Sequence, residues 1–166
     1  MTEFSFPYGE SLKSNLPGED QELIAAAELA AEGAYAPYSG FKVGSAVRLD
    51  DGRIVSGSNH ENASYPAGIC AERAALATLD MRAGQHKVKA IAVTYISAKQ
   101  SASVQPPLSP CGLCRQSILE VQQWQQTPIR LLLCSPDGPV ITIEDSGHLL
   151  PFSFGSSYLG QDSPLQ

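Results

Sequence analysis

Three cysteines restrict the fold of this 166-residue chain more than any other feature. Cys70 opens the run CAERAAL, and Cys111 and Cys114 stand much further on in SPCGLCRQ. Each run continues with apolar residues at helical spacing, so both read as helices that begin on sulfur. Residues three or four apart share a helix face, which lets Cys111 and Cys114 reach one ion. Cys70 is the natural third ligand, provided that the fold brings two helix starts to the same place.

Composition sets the surroundings of those thiols. The first twenty residues hold no apolar run suited to a signal peptide, and no segment approaches the ~20 apolar residues of a membrane span. A cytoplasmic chain with no membrane partner is expected. In that compartment sulfur stays reduced, so the four cysteines read as thiols, ligands or catalytic groups and not as disulfides. Cys134, inside an apolar strand, reads as a small hydrophobe. Seventeen acidic against eleven basic side chains give a net charge of −6, a field that repels polyanions and argues against nucleic acid as a partner.

Residues 1–18 show no period and read as an N-terminal extension, irregular or docked on a neighbour; residues 19–166 read as one domain. From Asp20, Leu23, Ala26, Ala27, Ala30 and Ala34 recur at helical spacing, and the helix should end near Gly33. KVGSAVRL and RIVSGS flank Asp50-Asp51-Gly52, a hairpin signal because Gly accepts positive φ. A second helix is expected from Cys70 to Arg82, ended by Gly84. VKAIAVTYIS reads as a buried strand, and QSASVQPPL as a loop. A third helix follows Pro110, with Leu113, Ile118, Val121 and Trp124 as its apolar set. IRLLLCS and VITI then flank a turn at Ser135-Pro136-Asp137-Gly138. This order predicts an α/β fold, a three-layer α/β/α sandwich with a mixed sheet of about five strands. Right-handed crossovers would place the second and third helix starts along one sheet edge, where the thiols converge.

A structural zinc centre fills its fourth position with Cys or His, whereas a catalytic one leaves it to water. Cys134 lies in a strand, His86 and His148 in turns, and His60 in a loop rich in other polar work, so none is a good fourth ligand. Glu72, two residues after Cys70, is placed to take a proton from a water without binding the metal. As a first-turn acid it also favours the helix dipole by about 0.3–1 kcal/mol, and the two readings are compatible. Three thiolates leave the ion at a formal charge of −1, as counted from Zn²⁺ and three sulfurs. Helix N-termini offset it, and Arg73 either donates to a thiolate or pairs with a surface carboxylate.

At these residues the sequence resembles the zinc-dependent cytidine deaminases of pyrimidine salvage, a signature in which a non-ligand Glu moves the protons. The resemblance spans residues 22–160 through APYSGFKVGSAV, SNHENASYPAGICAER, SPCGLCRQSILE and LLPFSFG. It implies one Zn²⁺ per chain on Cys70, Cys111 and Cys114, and hydrolytic deamination of cytidine and deoxycytidine with loss of ammonia. Glu72 would protonate N3 and then serve the leaving amine. The backbone of Ala71 and the carbonyl of Ser109 match groups that read the pyrimidine edge, and Pro110 presets the turn between Ser109 and the helix. Asn59 and Glu61 match a pair that holds the ribose hydroxyls, and Phe41 an aromatic beside the substrate. The resemblance also implies a homotetramer in which Phe154 stacks on a neighbour's base and Tyr65 makes a cross-subunit contact, although Tyr65 reads equally as a packed loop residue. The chain departs from the family pattern at His60 and in its longer N-terminus, which bears on substrate preference. Rival readings are the same core acting on a blasticidin-type antibiotic, guanine or an RNA base, and a zinc-stabilised binding module without turnover.

Overall fold

The computed structural model describes residues 1–82, 86–97 and 105–160. Its elements run β1 (Gly9–Leu12), α1 (Gly18–Glu32), β2 (Phe41–Leu49), β3 (Ile54–Ser58), α2 (Ala71–Leu76), β4 (Val88–Ser97), α3 (Gly112–Gln125), β5 (Arg130–Cys134) and β6 (Pro139–Ile143), with short 3₁₀ turns between and after them. The strands form one six-stranded sheet in the order β1-β6-β5-β4-β2-β3. Only β4 and β5 run parallel; every other neighbouring pair is antiparallel.

Alternation along β4 explains the layers. Ala90 and Ala92 face α1 together with Leu23, Ile24, Ala27, Ala46 and Leu132, while Ile91 and Val93 face the side of α2 and α3 with Val47, Ala75, Ile118 and Leu131. Small residues on the first face allow close approach. A Cβ on Gly44 would lie 2.0 Å from the Ala27 carbonyl oxygen and 2.4 Å from the Ala31 amide nitrogen, so α1 rests directly on the β2 backbone. Gly57 does the same for α2 on β3: a Cβ there would lie 2.4 Å from the Ala75 nitrogen. The expected α/β/α sandwich and the β2–β3 hairpin are present, with Gly52 at φ 87° in its turn.

Three expectations are corrected. The sheet has six strands and not about five, because residues 9–12 pair with β6 in register from Gly9↔Thr142 to Leu12↔Pro139. A four-residue, mostly exposed edge strand has no apolar alternation to read. The second helix stops at Leu76, far short of Arg82. The Thr78 hydroxyl and amide both take the Ala75 carbonyl, at 2.8 and 3.2 Å, which diverts the acceptor that a further α-turn requires. The proposed stop at Gly84 and most of the QSASVQPPL loop fall outside the described residues. Finally, Leu113 is 67% exposed, and α3 turns Cys114, Ile118, Leu119, Val121 and Gln125 inward instead.

Candidate metal centre and substrate pocket

The pairing Phe41↔Ser97 and Gly44↔Ser58 brings the start of β2, the end of β3 and the end of β4 to one edge of the sheet. From that edge the chain enters α2 and α3. Cys70 is the N-cap residue of α2 and Cys111 that of α3, with Cys114 in the first turn behind it. The Cys70 and Cys111 sulfurs lie 3.7 Å apart and those of Cys111 and Cys114 3.5 Å apart, and all three fall within 4.8 Å of one another.

Those separations exclude a disulfide, whose sulfurs lie about 2.05 Å apart. They suit one tetrahedral ion: bonds of about 2.3 Å at tetrahedral angles put sulfurs about 3.8 Å apart. The donor set thus fits zinc, and no fourth His, Cys or carboxylate joins it among the described residues. His86 belongs to a separate group with Asp50 and Asp51, His148 stacks on Phe6, and Cys134 is buried in β5, where burial pushes its thiol up to about 12.

Burial raises the Cys70 and Cys114 thiols as well. Cys111 behaves differently: burial again acts upward, but the backbone amide and thiol of Cys114, the Cys70 thiol and the Leu113 amide together bring it below its ordinary value. The N-cap position supplies those amides, which have no partner inside the helix. Glu72 is only 4% exposed, and burial raises its carboxyl above the usual range, with its own backbone amide and then the Cys114 thiol opposing in part. A buried carboxyl that holds its proton more tightly is suited to passing one to a substrate.

Beside the thiols opens a pocket of about 680 Å³, lined by Cys70, Ala71, Glu72, Cys111 and Ser109 on one side and Phe41, Asn59, His60, Glu61 and Tyr65 on the other. Every residue assigned to substrate contact therefore meets here except Phe154, which is 58% exposed and stacks on Tyr158 at 5.4 Å. Tyr65 lies at the rim, 79% exposed and edge-on to Tyr38.

The two polar side chains of the far wall also shape it. The Asn59 carbonyl oxygen accepts from the Val43 amide at 2.7 Å, and its NH₂ donates to the Phe41 carbonyl at 3.0 Å. The Glu61 carboxylate accepts from the Tyr38 and Ser39 amides and from the Ser39 hydroxyl, which hold it below the usual carboxylate range, the hydroxyl contributing most. The wall is thus preorganised, and each group keeps hydrogen-bonding capacity, lone pairs on Glu61 and an N–H on Asn59, beyond these internal contacts.

Sequence reasoning missed Tyr95 and Arg115. Tyr95, buried in β4, stacks under Phe41 at 5.0 Å and donates to the Pro106 carbonyl at 3.1 Å, so it supports an aromatic wall and the incoming loop together. Arg115 donates to the Pro110 carbonyl, the Ser109 hydroxyl and the Leu149 carbonyl at 2.8, 3.0 and 3.1 Å. Its place directly after Cys114 was the one available signal. Arg73 is half-buried and, among the described residues, donates to none of the three thiols.

Residues 17–127 match the family described as the cytidine and deoxycytidylate deaminase zinc-binding region. The chain is 38% identical over 141 residues to the cytidine deaminase of Mycobacterium tuberculosis, covering 84% of this chain and 93% of that protein. Over 101 residues it is 46% identical to the cytidine deaminase of Halalkalibacterium halodurans, 61% of this chain and 70% of that one. The crystal structure of the Burkholderia pseudomallei cytidine deaminase superposes with a TM-score of 0.67 at 40% identity, covering 81% of this chain and 98% of the other. Agreement in sequence, in fold and in a zinc-compatible trio of thiols makes this chain a member of the cytidine and deoxycytidylate deaminase family.

Proposed function

We propose that this chain is a cytidine deaminase of pyrimidine salvage, converting cytidine and 2′-deoxycytidine to uridine and 2′-deoxyuridine with release of ammonia. The observation that carries the reading is the buried Glu72 carboxyl in the same pocket wall as Cys70 and Cys111. Cys70, Cys111 and Cys114 would hold one Zn²⁺, which when bound polarises and acidifies a water for attack on C4 of the base. The Glu72 carboxylate would accept one proton of that water and pass it to N3 of the ring, then accept the proton of the hydroxyl added at C4 and hand it to the amine as the C4–N bond breaks, leaving the C4 carbonyl and ammonia. The Ala71 backbone and the Ser109 carbonyl orient the pyrimidine edge, Phe41 packs against the base, and Asn59 and Glu61 receive the ribose. The Cys114 and Leu113 amides at the start of α3 would offset the charge of the thiolates at Cys111, and Arg73, which among the described residues donates to none of the thiols, would take no part by hydrogen bond. Pro110 keeps Ser109 in the turn that leads to Cys111.

A homotetramer with sites completed by neighbouring subunits is part of the same reading. It is supported by the large exposure of Phe152, Tyr65 and the stacked Phe154–Tyr158 pair, apolar rings that a neighbouring subunit would cover. Cytoplasmic residence is supported by four free cysteines, and among the described residues no helix is long and apolar enough to cross a membrane. The test of the mechanism is Glu72→Gln. It should keep the metal and the fold and lose about 10²–10⁴-fold in turnover, the usual contribution of a positioned acid-base group. Unchanged turnover would remove Glu72 from the chemistry.

A further inference from the structure

We propose that Arg115 is a positioning residue for this reaction, its guanidinium holding the Ser109–Pro110 edge of the pocket in place from the helix that carries Cys111 and Cys114. The inference rests on the deaminase reading above and adds a residue to it.

The chain leaves β4 for α3 through a segment with few anchors. The Leu108 amide donates to the Cys134 carbonyl at 3.1 Å, and the next backbone bond is from the Arg115 amide to the Cys111 carbonyl at 2.9 Å. Between them Pro110 has no N–H to give. Among the described residues, the side chain of Arg115 makes the hydrogen bonds that hold this interval. Nε reaches the Pro110 carbonyl at 2.8 Å and Nη2 the Ser109 hydroxyl at 3.0 Å, while Nη1 reaches back to the Leu149 carbonyl at 3.1 Å. The next residue, Gln116, donates to the Phe154 carbonyl at 3.1 Å. Two consecutive α3 residues thus join the pocket edge, the thiol-bearing helix and the C-terminal segment.

Ser109 lines the pocket and Arg115 does not, so Arg115 acts through Ser109. The geometry asks for a planar fork with several donors at fixed angles. Lysine offers one point charge, which cannot serve the Pro110, Ser109 and Leu149 acceptors together.

The test uses the zinc-loaded full chain and the variants Arg115→Lys, Ser109→Ala and the double substitution. Arg115→Lys should keep about one zinc per chain. Its KM for cytidine should rise about tenfold and its kcat fall less than about threefold, the scale of one lost charge-assisted hydrogen bond. Ser109→Ala, which leaves the two carbonyl contacts intact, should raise KM about threefold, and the double variant should match Arg115→Lys within about twofold because both act on one contact. Hydrogen exchange should quicken together in the peptides covering 108–114 and 149–155 of Arg115→Lys.

An unchanged KM in either single variant, or effects that multiply in the double variant, would overturn the proposal. Unchanged exchange at 108–114 would overturn it without reference to turnover. Absence of uridine from the unsubstituted protein would instead refute the deaminase reading, and the exchange result would then decide the role of Arg115 alone.

Discussion

Replacing Gly57 with alanine tests how the fold sets the site. The new Cβ would lie 2.4 Å from the Ala75 nitrogen, 2.8 Å from the Ala71 oxygen and 2.9 Å from the Ala74 carbonyl carbon, all backbone atoms of α2. Ordinary contact begins at 3.4 Å, so the helix must retreat by 3.4 − 2.4, or about 1 Å. Overpacking of this kind costs about 1–3 kcal/mol, which for a domain of this size lowers Tm by roughly 3–10 °C. The functional effect should be larger. α2 carries Cys70 at its N-cap and Glu72 in its first turn, and a displacement of about 1 Å at a reacting group costs about 10²-fold in rate. Thermal melting by circular dichroism and cytidine turnover at full zinc occupancy read the two effects separately. Gly18→Ala is the control, since a Cβ there meets nothing within 4 Å, and it should stay within about 0.5 kcal/mol of the parent. Parental Tm and turnover in Gly57→Ala would refute the claim that α2 rests directly on β3.

Other outcomes follow from particular contacts. Asp20 is 1% exposed and accepts from Arg130 at 2.6 and 2.7 Å, so Asp20→Asn should lower the urea-unfolding free energy by about 3 kcal/mol while leaving KM unchanged. Glu61 is held below its usual 4.5 by the Ser39 hydroxyl and Tyr38 amide, and its folded value is therefore the lower one. Its support of the 38–41 turn is complete above 4.5 and is lost as pH falls through the lowered value, so KM for cytidine should be flat from neutral pH down to 4.5 and rise only below it. Glu61→Gln should abolish that acid rise. Removing zinc with a chelator should expose Cys111 and Cys70 to a thiol reagent in the folded protein, while the buried Cys114 and Cys134 stay unreactive until the chain unfolds.

What could be read in advance was local. Residues three apart share a helix face whatever the rest of the chain does, which is why Cys111 and Cys114 were legible as a pair from spacing, whereas Cys70 and Glu72 joined them through the expected crossovers and the family resemblance. Hairpin chemistry at Asp50-Asp51-Gly52 and the Val/Ile-rich run of β4 were legible for the same reason. The misses depend on partners distant in the chain. β1 is a strand only because β6 offers a free edge, and α2 ends early because one threonine takes a carbonyl. Gln125 was unreadable as a core residue, yet its amide bonds both the N–H and the carbonyl of Val88 at 2.9 Å and fixes where β4 begins. Arg115 makes its contacts to Ser109 and Leu149 across a gap that no periodicity encodes. Asn59 was assigned to the sugar from the resemblance, and the task the structure gives it is to tie the end of β3 to the start of β2.

The most direct test of the central claim is the ultraviolet absorbance of cytidine on mixing with the purified, zinc-loaded chain, run in parallel with deoxycytidine, free cytosine and blasticidin S. The account predicts loss of the cytidine and deoxycytidine chromophores with stoichiometric uridine, deoxyuridine and ammonia, and no turnover of free cytosine, which lacks the ribose that Asn59 and Glu61 would hold. No change in either nucleoside, with about one zinc bound per chain, would contradict it.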